Sequence, residues 1–295
     1  MSAPHAIFDV ALLTARSNRA APGAAAHDFL LRRVADDLSE RLAIVRRDFA
    51  VAADIGARHG ILTRRIGAAP NVGRIVALDP AARLLEKAPA PRVVAHLDAL
   101  PLAPESLDLA VSGLSLHLVD DLPGALIQIR RALKPDGLLL AALLGGRTLQ
   151  ELREAWLAAE GEIADGVSPR VAPFADVRDL GGLLQRAGFA LPVVDSDTVP
   201  VAYADPLALM RDLKGMGASN MLAERRRVPV TRRLLLRAAE IYAERFGRPD
   251  GRVVATFEIL TLTAWAPHES QPQPLKPGSA TSRLADALGV PERKL

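Results

Sequence analysis

Phe49-Ala-Val-Ala-Ala-Asp54-Ile-Gly56-Ala-Arg58-His59-Gly60 is the stretch of sequence that decides the fold. Residues 49–53 are apolar without alternation, which is typical of a strand buried on both faces of a parallel sheet. The two glycines that follow allow the backbone to approach a ligand closely. The stretch therefore predicts the first strand and ligand-binding loop of a nucleotide-binding α/β domain, with Asp54, Gly56, Arg58 and Gly60 as cofactor-binding residues.

Similar apolar runs recur along the chain and alternate with amphipathic helical patterns. The predicted strands are 49–53, 73–79, 92–98, 107–112, 138–144, 193–201 and 253–265. Strands that alternate with helices in this way form βαβ units and a parallel sheet. We therefore predict an α/β fold with a seven-stranded, mostly parallel sheet, helices on both faces and a helical insert before the last strand.

Composition divides the chain into three parts. The predicted boundaries are 1–44 for an N-terminal arm and helix, 45–265 for the main domain with a helical insert at about 205–246, and 266–295 for a proline-rich tail. Within the arm, residues 1–25 are expected to be irregular apart from one short helical turn. The tail is expected to carry a short helix at 281–288.

Length and composition exclude several classes of protein. With 295 residues, 49% of them hydrophobic, the chain can bury a sizeable core and is not intrinsically disordered. It has no cysteine, which excludes disulfides, thiolate metal sites and a cysteine nucleophile. We find neither a transmembrane run nor a secretory signal pattern, and Asp9 argues against a transit peptide. We therefore expect a cytoplasmic protein.

The predicted helical insert carries the strongest local charge in the chain. Between Arg211 and Arg248 there are ten arginines or lysines and four acids, although the whole chain has a net charge of only +3. A solvated helix face explains such a run, and docking of an acidic protein or carrier is the functional alternative. Nucleic acid is not expected as a partner, because few aromatic residues interrupt the charges.

Acidic residues at the ends of the second and third predicted strands favour a nucleoside ligand. Asp79 is placed to accept hydrogen bonds from ribose hydroxyls. Asp98 is placed to accept from an adenine amino group, with Ala99 and the apolar residues after it beside the ring. Nicotinamide cofactors use the same logic, but the sequence lacks the Gly-x-Gly-x-x-Gly spacing that they require.

Two histidines, His59 and His117, are expected at the carboxyl ends of the strands, where ligands bind in such sheets. His117 is a candidate catalytic base or substrate anchor, and a structural histidine that caps a loop is the alternative. His96 and Asp98 form half of an iron-binding pattern, but the acid already has a role, so we predict no metal. Neither a Gly-x-Ser-x-Gly elbow nor a Walker loop is present, which disfavours hydrolases and P-loop NTPases.

The chain resembles a known family through an ordered set of motifs. Over residues 45–145 it is similar to the class I, type 11, S-adenosyl-L-methionine-dependent methyltransferases, which have a Rossmann-like fold. The motifs are Asp54-Ile-Gly56, Asp79, Asp98-x-x-x-Pro101, Ser112-Gly-Leu-Ser-Leu-His117 and Leu133-Lys-Pro-Asp-Gly137. This resemblance implies adenosylmethionine as cofactor and adds Ser112 to the cofactor-binding residues.

A more specific resemblance spans nearly the whole chain. It is similar to the complex I assembly-factor branch of that superfamily, through motifs that include Gly145-Gly-Arg-Thr-Leu149, Ser168-Pro169, Pro173-Phe174 and Gly215-Met-Gly217-x-Ser-Asn220. The resemblance implies arginine hydroxylation of a subunit of NADH:ubiquinone oxidoreductase, and thus a protein substrate. It begins near Ile7, so we expect no transit peptide.

Two other functions stay open. The first is O-methylation of a small molecule or of a carrier-protein carboxyl group. It is implied by a resemblance to the malonyl-carrier-protein O-methyltransferases, which are a related group. The second is a non-catalytic assembly chaperone with an altered cofactor loop. It arises because Arg58 stands where adenosylmethionine-binding loops usually carry a middle glycine. An arginine there hinders close backbone approach to a ligand, or pairs with a carboxylate.

Overall fold

The computed structural model of the protein describes residues 6–164, 166–272 and 289. Seven strands form one sheet in the order β3-β2-β1-β4-β5-β7-β6. Their bounds are β1 Phe49–Ile55, β2 Val72–Asp79, β3 Arg92–Val94, β4 Leu107–Gly113, β5 Leu133–Leu144, β6 Ala190–Tyr203 and β7 Val253–Trp265. The predicted strands are therefore all present, although β3 is shorter than expected.

The sheet is mostly parallel, as predicted. Strands β1 to β5 pair in parallel, whereas β7 pairs antiparallel with both β5 and β6. The carboxyl ends of β1, β2 and β4 therefore lie at one edge of the sheet, on either side of the point where the strand order reverses. Ligands of open α/β sheets bind at such a point.

Nine α-helices surround the sheet in the described part of the chain. Their bounds are α1 Val10–Ala20, α2 Phe29–Ala43, α3 Ile61–Gly67, α4 Ala82–Leu85, α5 Leu122–Ala132, α6 Gln150–Ile163, α7 Val177–Arg186, α8 Pro206–Gly215 and α9 Arg232–Phe246. Helices α5 and α7 bury apolar residues against one face of the sheet. Helices α2, α3, α6, α8 and α9 contribute to the core on the other face. The sheet is thus covered on both sides, as its apolar strands require.

The N-terminal arm is more ordered than the sequence indicates. Residues 10–20 form helix α1, followed by a 3₁₀ helix over Ala21–Ala26, so the expectation of an irregular arm with one helical turn is wrong. The Asp9 side chain caps α1 by accepting from the Leu12 amide at 3.0 Å. The arm is fastened to the rest of the molecule because the Ile7 amide donates to the Asp120 carboxylate at 2.9 Å.

The Lys134-Pro-Asp-Gly137 segment of the family motif forms a bulge inside β5. Leu107 pairs with Leu133 and Leu109 with Leu138, so the intervening residues of β5 loop out of register. Asp136 has a φ of 62°, the left-handed conformation of a turn. The predicted insert consists of α8 and α9 joined by an irregular segment, and the tail helix predicted at 281–288 lies outside the described residues. The three predicted boundaries stay a prediction.

None of the helices in the described residues has the length and apolar character needed to span a bilayer.

Candidate functional site

Two glycines shape the loop after β1. Gly56 and Gly60 have φ angles of 77° and 79°, in the left-handed region that favours glycine. A Cβ atom on Gly60 would lie 2.6 Å from the Cα of Ala88, and one on Gly56 would overlap the Ser115 side chain. Both positions therefore need glycine for conformation and for space, which accounts for this part of the predicted cofactor loop.

Asp54 is the acid at the end of β1, and it is fully buried. Its Oδ2 accepts from the Thr63 hydroxyl at 2.6 Å, whereas Oδ1 has no hydrogen-bond partner among the described residues. Burial raises the pKa of Asp54 to about 7, with the neighbouring charge of Asp79 adding to the effect. The carboxyl group is thus partly protonated near neutral pH and has an oxygen available to a cationic donor.

Arg58, the departure from the glycine pattern, adopts a φ of 52° and so keeps the backbone conformation that glycine would have. Its side chain is half-buried and its guanidinium donates to the Met216 carbonyl at 2.5 Å, just after α8. Burial lowers the pKa of Arg58 from its ordinary value, and the charge of Asp79 opposes that effect. The arginine thus connects the loop after β1 to the helical insert.

Asp79, at the end of β2, anchors the same loop. One carboxylate oxygen accepts from the Arg58 amide at 2.9 Å, and the other accepts from the Ala81 amide at 2.8 Å. Burial raises the pKa of Asp79, while the Ala81 hydrogen bond and the Arg58 charge oppose the rise. Each carboxylate oxygen has two lone pairs, so both can accept a further donor.

The remaining predicted cofactor residues have different surroundings. Asp98 is half-buried and its Oδ1 accepts from the Asp120 amide at 3.2 Å, while Ala99 beside it is exposed. Ser112 is fully buried, and its hydroxyl donates to the Ile55 carbonyl at 2.6 Å. That hydrogen bond connects β4 with β1, so Ser112 stabilises the strands that carry the site. The cofactor roles of all three stay predictions.

A cavity of about 310 Å³ lies above the carboxyl ends of β1, β4 and β5. Its walls come from the loop after β1, the N-terminal arm, α6, α8 and residues 216–222. The lining is mainly apolar, with Leu114, Leu149, Trp156, Phe174 and Phe257 among its large side chains. Of the predicted cofactor-binding and catalytic residues, Arg58 and His117 line it, as does His59, whereas the acids at the strand ends do not.

His117 lies in a short 3₁₀ helix, Leu116–Leu118, and packs edge-on against Phe174 with ring centroids 5.5 Å apart. Its Nδ1 is buried without a hydrogen-bond partner among the described residues. Burial, followed by the charge of Arg58, lowers the pKa of His117 to about 3. The ring is therefore neutral at physiological pH, which suits a hydrogen-bonding anchor better than a general base. Its catalytic role stays a prediction.

His59 and Asp28 form a buried pair in the cavity wall. The His59 Nε2 lies 3.2 Å from the Asp28 carboxylate, which also accepts two hydrogen bonds from Arg32 at 2.6 and 3.0 Å. Burial lowers the pKa of His59, although the hydrogen bond to Asp28 opposes this. The sequence pointed to His59 but not to Asp28, which lies 31 residues away at the start of α2.

Sequence reasoning missed a second charged group in the wall. Arg170 pairs with the fully buried Glu160, and its guanidinium carbon lies 4.6 Å from the ring centroid of Trp156. Although burial opposes ionisation, hydrogen bonds from Ser168 and Arg170 lower the pKa of Glu160. The sequence offers one signal of it, the helical spacing of Leu149, Leu152 and Trp156.

The described residues contain no group of three or more histidines, aspartates or glutamates arranged to hold a metal ion. His96 of the iron-like pattern is exposed, and Asp98 is engaged with the backbone of the loop before α5.

Comparison with known proteins assigns the family. A family model described as a methyltransferase domain matches residues 53–141. The rat mitochondrial arginine hydroxylase NDUFAF5 is 39% identical over 95% of this chain and 83% of its own length, and the Danio rerio protein is 41% identical over 88% and 82%. The chain belongs to the family of these NDUFAF5 proteins. A malonyl-[acyl-carrier protein] O-methyltransferase of Halorhodospira halophila is 39% identical over 80% of this chain and 81% of its own.

Solved structures of methyltransferase-like proteins share the fold of this chain. The YcgJ protein of Bacillus subtilis superposes with a TM-score of 0.55 over 80% of this chain and 99% of its own, at 14% identity. A Bacillus halodurans protein assigned to the methyltransferases gives a TM-score of 0.56 over 79% of this chain, at 16% identity. At such identities the likeness concerns the fold alone, and it confirms the predicted Rossmann-like methyltransferase architecture.

Proposed function

We propose that the protein is an arginine hydroxylase that modifies an arginine of a NADH:ubiquinone oxidoreductase subunit during complex I assembly, and that it binds S-adenosyl-L-methionine in the loop after β1. The observation that carries this proposal is the 39–41% identity, over 88–95% of the chain, to relatives named as arginine hydroxylases. The cytoplasmic location predicted from the sequence is part of the proposal.

The residues around the loop fit the chemical groups of adenosylmethionine. The free oxygen of Asp54 suits an ammonium group, and the guanidinium of Arg58 suits a carboxylate. Asp79 keeps lone pairs for ribose hydroxyls, and the left-handed turns at Gly56 and Gly60 bring backbone to the site without Cβ atoms in the way. Bound adenosylmethionine would supply an electrophilic methyl carbon, which is the reagent of the methylation alternative. Hydroxylation of arginine replaces a hydrogen by a hydroxyl group, a two-electron oxidation, and requires dioxygen together with a two-electron donor as co-reactants.

The cavity beside this loop supports a role in holding an acceptor side chain away from water. Its walls are mainly apolar, and two of the polar groups that line it, His59 and Arg170, are each paired with a carboxylate. In such a site, catalysis depends on orientation and desolvation more than on many reactive side chains. In this proposal, neutral His117 orients the acceptor by a hydrogen bond.

A second candidate function is O-methylation of a carboxyl group. The observation that favours it is Arg58 in the cavity wall, because a guanidinium binds carboxylates in a bidentate geometry. Relatives named as malonyl-[acyl-carrier protein] O-methyltransferases support the same alternative. A non-catalytic chaperone is the third candidate and would not depend on the cofactor.

Two measurements separate these functions. Calorimetric titration of the purified protein with adenosylmethionine should give a saturable heat. The absence of both a binding heat and a thermal shift would favour the chaperone. Mass spectrometry of the complex I subunit from a strain lacking the protein then distinguishes the chemistries. We expect loss of a single oxygen atom from an arginine, whereas loss of a CH₂ group would indicate methylation and an unchanged mass would exclude both modifications of this subunit.

A further inference from the structure

An irregular segment joins α8 to α9, and part of it is unusually exposed. Val228 and Val230 expose 64% and 40% of their surface, which is uncommon for branched apolar side chains in a folded protein. Arginines on both sides of them, Arg227, Arg232 and Arg233, are exposed as well. We call these five residues the arginine–valine patch.

Within the described part of the chain, some arginines of the insert are paired with carboxylates, whereas those of the patch are not. Arg225 lies 3.0 Å from the Asp9 carboxylate, and Arg237 lies 2.6 Å from Glu162. In contrast, no carboxylate of a described residue lies within 4.0 Å of the guanidinium groups in the patch. The patch therefore keeps positive charge that an outside partner can reach.

The backbone of the patch is also available. Between residues 227 and 230 the main chain makes no hydrogen bond to the main chain of another described residue. Pro229 keeps the segment out of helical conformation at the residue before it. A segment with free backbone groups and alternating exposed valines can pair with an extended peptide, as strand-addition sites do.

The patch adjoins the cavity. Met221 and Leu222 line the cavity, and the Arg225 guanidinium donates to the Leu222 carbonyl at 2.8 Å. On the other side, the Arg226 guanidinium donates to the Gly166 carbonyl at 3.2 Å, next to Val167, which is 59% exposed. The patch begins at Arg227, five residues after Leu222 of the cavity wall, so a polypeptide lying on the patch would be near the cavity.

We propose that the arginine–valine patch docks an acidic, leucine- or valine-containing stretch of the substrate polypeptide, close to the residue that enters the cavity. This inference rests on the proposed function in one respect, namely that the acceptor belongs to a polypeptide. Unpaired arginines select carboxylates, and the valines bury apolar side chains between them. The patch suits a peptide better than an anionic membrane, because membrane-surface helices insert large apolar side chains such as Trp, Phe and Leu, whereas the apolar residues of the patch are two valines.

The test uses two fluorescent peptides of equal length, each with one central arginine. One peptide has flanks of glutamate and leucine, and the other has glutamine in place of every glutamate. Fluorescence anisotropy with the full-length protein should show tighter binding of the acidic peptide, and the difference should shrink at high salt. Equal binding of the two peptides would overturn the proposal.

Variants locate the binding. The patch variant Arg227→Glu/Arg232→Glu/Arg233→Glu should bind the acidic peptide at least about tenfold more weakly. The matched control Arg74→Glu/Arg131→Glu/Arg178→Glu changes the net charge equally at exposed arginines elsewhere and should stay within about twofold of wild type. Equal losses in the two variants would show that the patch has no special role. Far-ultraviolet circular dichroism checks that both variants fold.

Two further readouts complete the test. Val228→Ser/Val230→Ser keeps every charge and should weaken binding of the acidic peptide by about threefold. Vesicles of phosphatidylcholine with phosphatidylglycerol probe the membrane alternative, and a patch-dependent affinity for vesicles without one for the peptide would overturn the proposal. Failure of the proposed function is distinguishable: an unmodified complex I subunit would refute hydroxylation while leaving patch-dependent peptide binding intact. Conversely, full modification of the subunit by the patch variant would refute the docking proposal and leave the hydroxylation proposal intact.

Discussion

Replacing Arg58 separates its two contributions to the molecule. The residue holds a left-handed backbone conformation with a φ of 52°, and its guanidinium donates to the Met216 carbonyl at 2.5 Å. Arg58→Ala removes the guanidinium but keeps a Cβ atom in the strained conformation. Arg58→Gly removes both. The pair of variants therefore measures the hydrogen bond and the strain independently.

The structure gives the expected magnitudes. Loss of a hydrogen bond from a charged donor costs about 1.5–3 kcal/mol, and both variants lose it. Left-handed conformation costs a non-glycine residue about 1–2 kcal/mol, but glycine adds about 0.4–1 kcal/mol of unfolded-state entropy. Arg58→Gly should therefore be more stable than Arg58→Ala by roughly 0.5–1 kcal/mol, and both should be less stable than wild type in urea unfolding.

Calorimetric titration with adenosylmethionine gives the functional side of the same experiment. We expect both variants to bind at least about tenfold more weakly, a loss of roughly 1.4 kcal/mol, because they lack the guanidinium proposed to hold the carboxylate. Arg58→Lys, which keeps the charge without the planar fork, should fall in between. An unchanged dissociation constant would show that the side chain lies outside the cofactor site. Equal stability of the alanine and glycine variants would refute the strain.

Two further predictions concern stability. The folded-state pKa of Asp54, about 7, lies above its ordinary value of 3.8, so the protonated carboxyl favours the fold at low pH and this stability is lost as pH rises towards 7. Asp54→Asn should therefore gain stability relative to wild type as pH rises from about 4 to 7, by up to roughly 4 kcal/mol. A difference in urea midpoint between variant and wild type that does not change with pH would contradict the raised pKa. Gly60→Ala should lower the free energy of unfolding by at least about 2 kcal/mol, because its Cβ atom would meet Ala88 at a positive φ. Gly161→Ala in α6 should raise it by about 0.5–1 kcal/mol, since nothing lies within 4 Å of the new Cβ atom. Thermal melts that leave both alanine variants at the wild-type midpoint would refute that reasoning.

Local sequence patterns were sufficient for the framework of the fold. The apolar run before Asp54 and the glycines after it mark β1 and its loop, because burial on both faces and left-handed turns each leave a trace within a few residues. Asp79 was found for the same reason, since the end of a strand is visible in the sequence. Strand β3 is shorter than its pattern because it lies at the edge of the sheet, where Val93 and Val94 are 37% and 61% exposed.

The site was less accessible to sequence reasoning because distant residues form it. The carbonyl that accepts from Arg58 belongs to Met216, 158 residues further along the chain. Helix α1 was missed because its cap at Asp9 looked like one acid in an alanine-rich arm, and its attachment depends on Asp120, more than a hundred residues away. Such contacts follow from how helices pack on the sheet, which no local pattern encodes.

Hydroxylation of an arginine in a complex I subunit is the function that we propose for this chain. Its most direct test is mass spectrometry of that subunit from a strain lacking the chain, complemented with wild type, with Arg58→Ala or with an empty vector. We predict an arginine carrying one added oxygen atom with wild type, no such arginine with the vector, and reduced occupancy with Arg58→Ala. An identical subunit mass in the wild-type and vector strains, or a CH₂ group in place of the oxygen, would contradict the account.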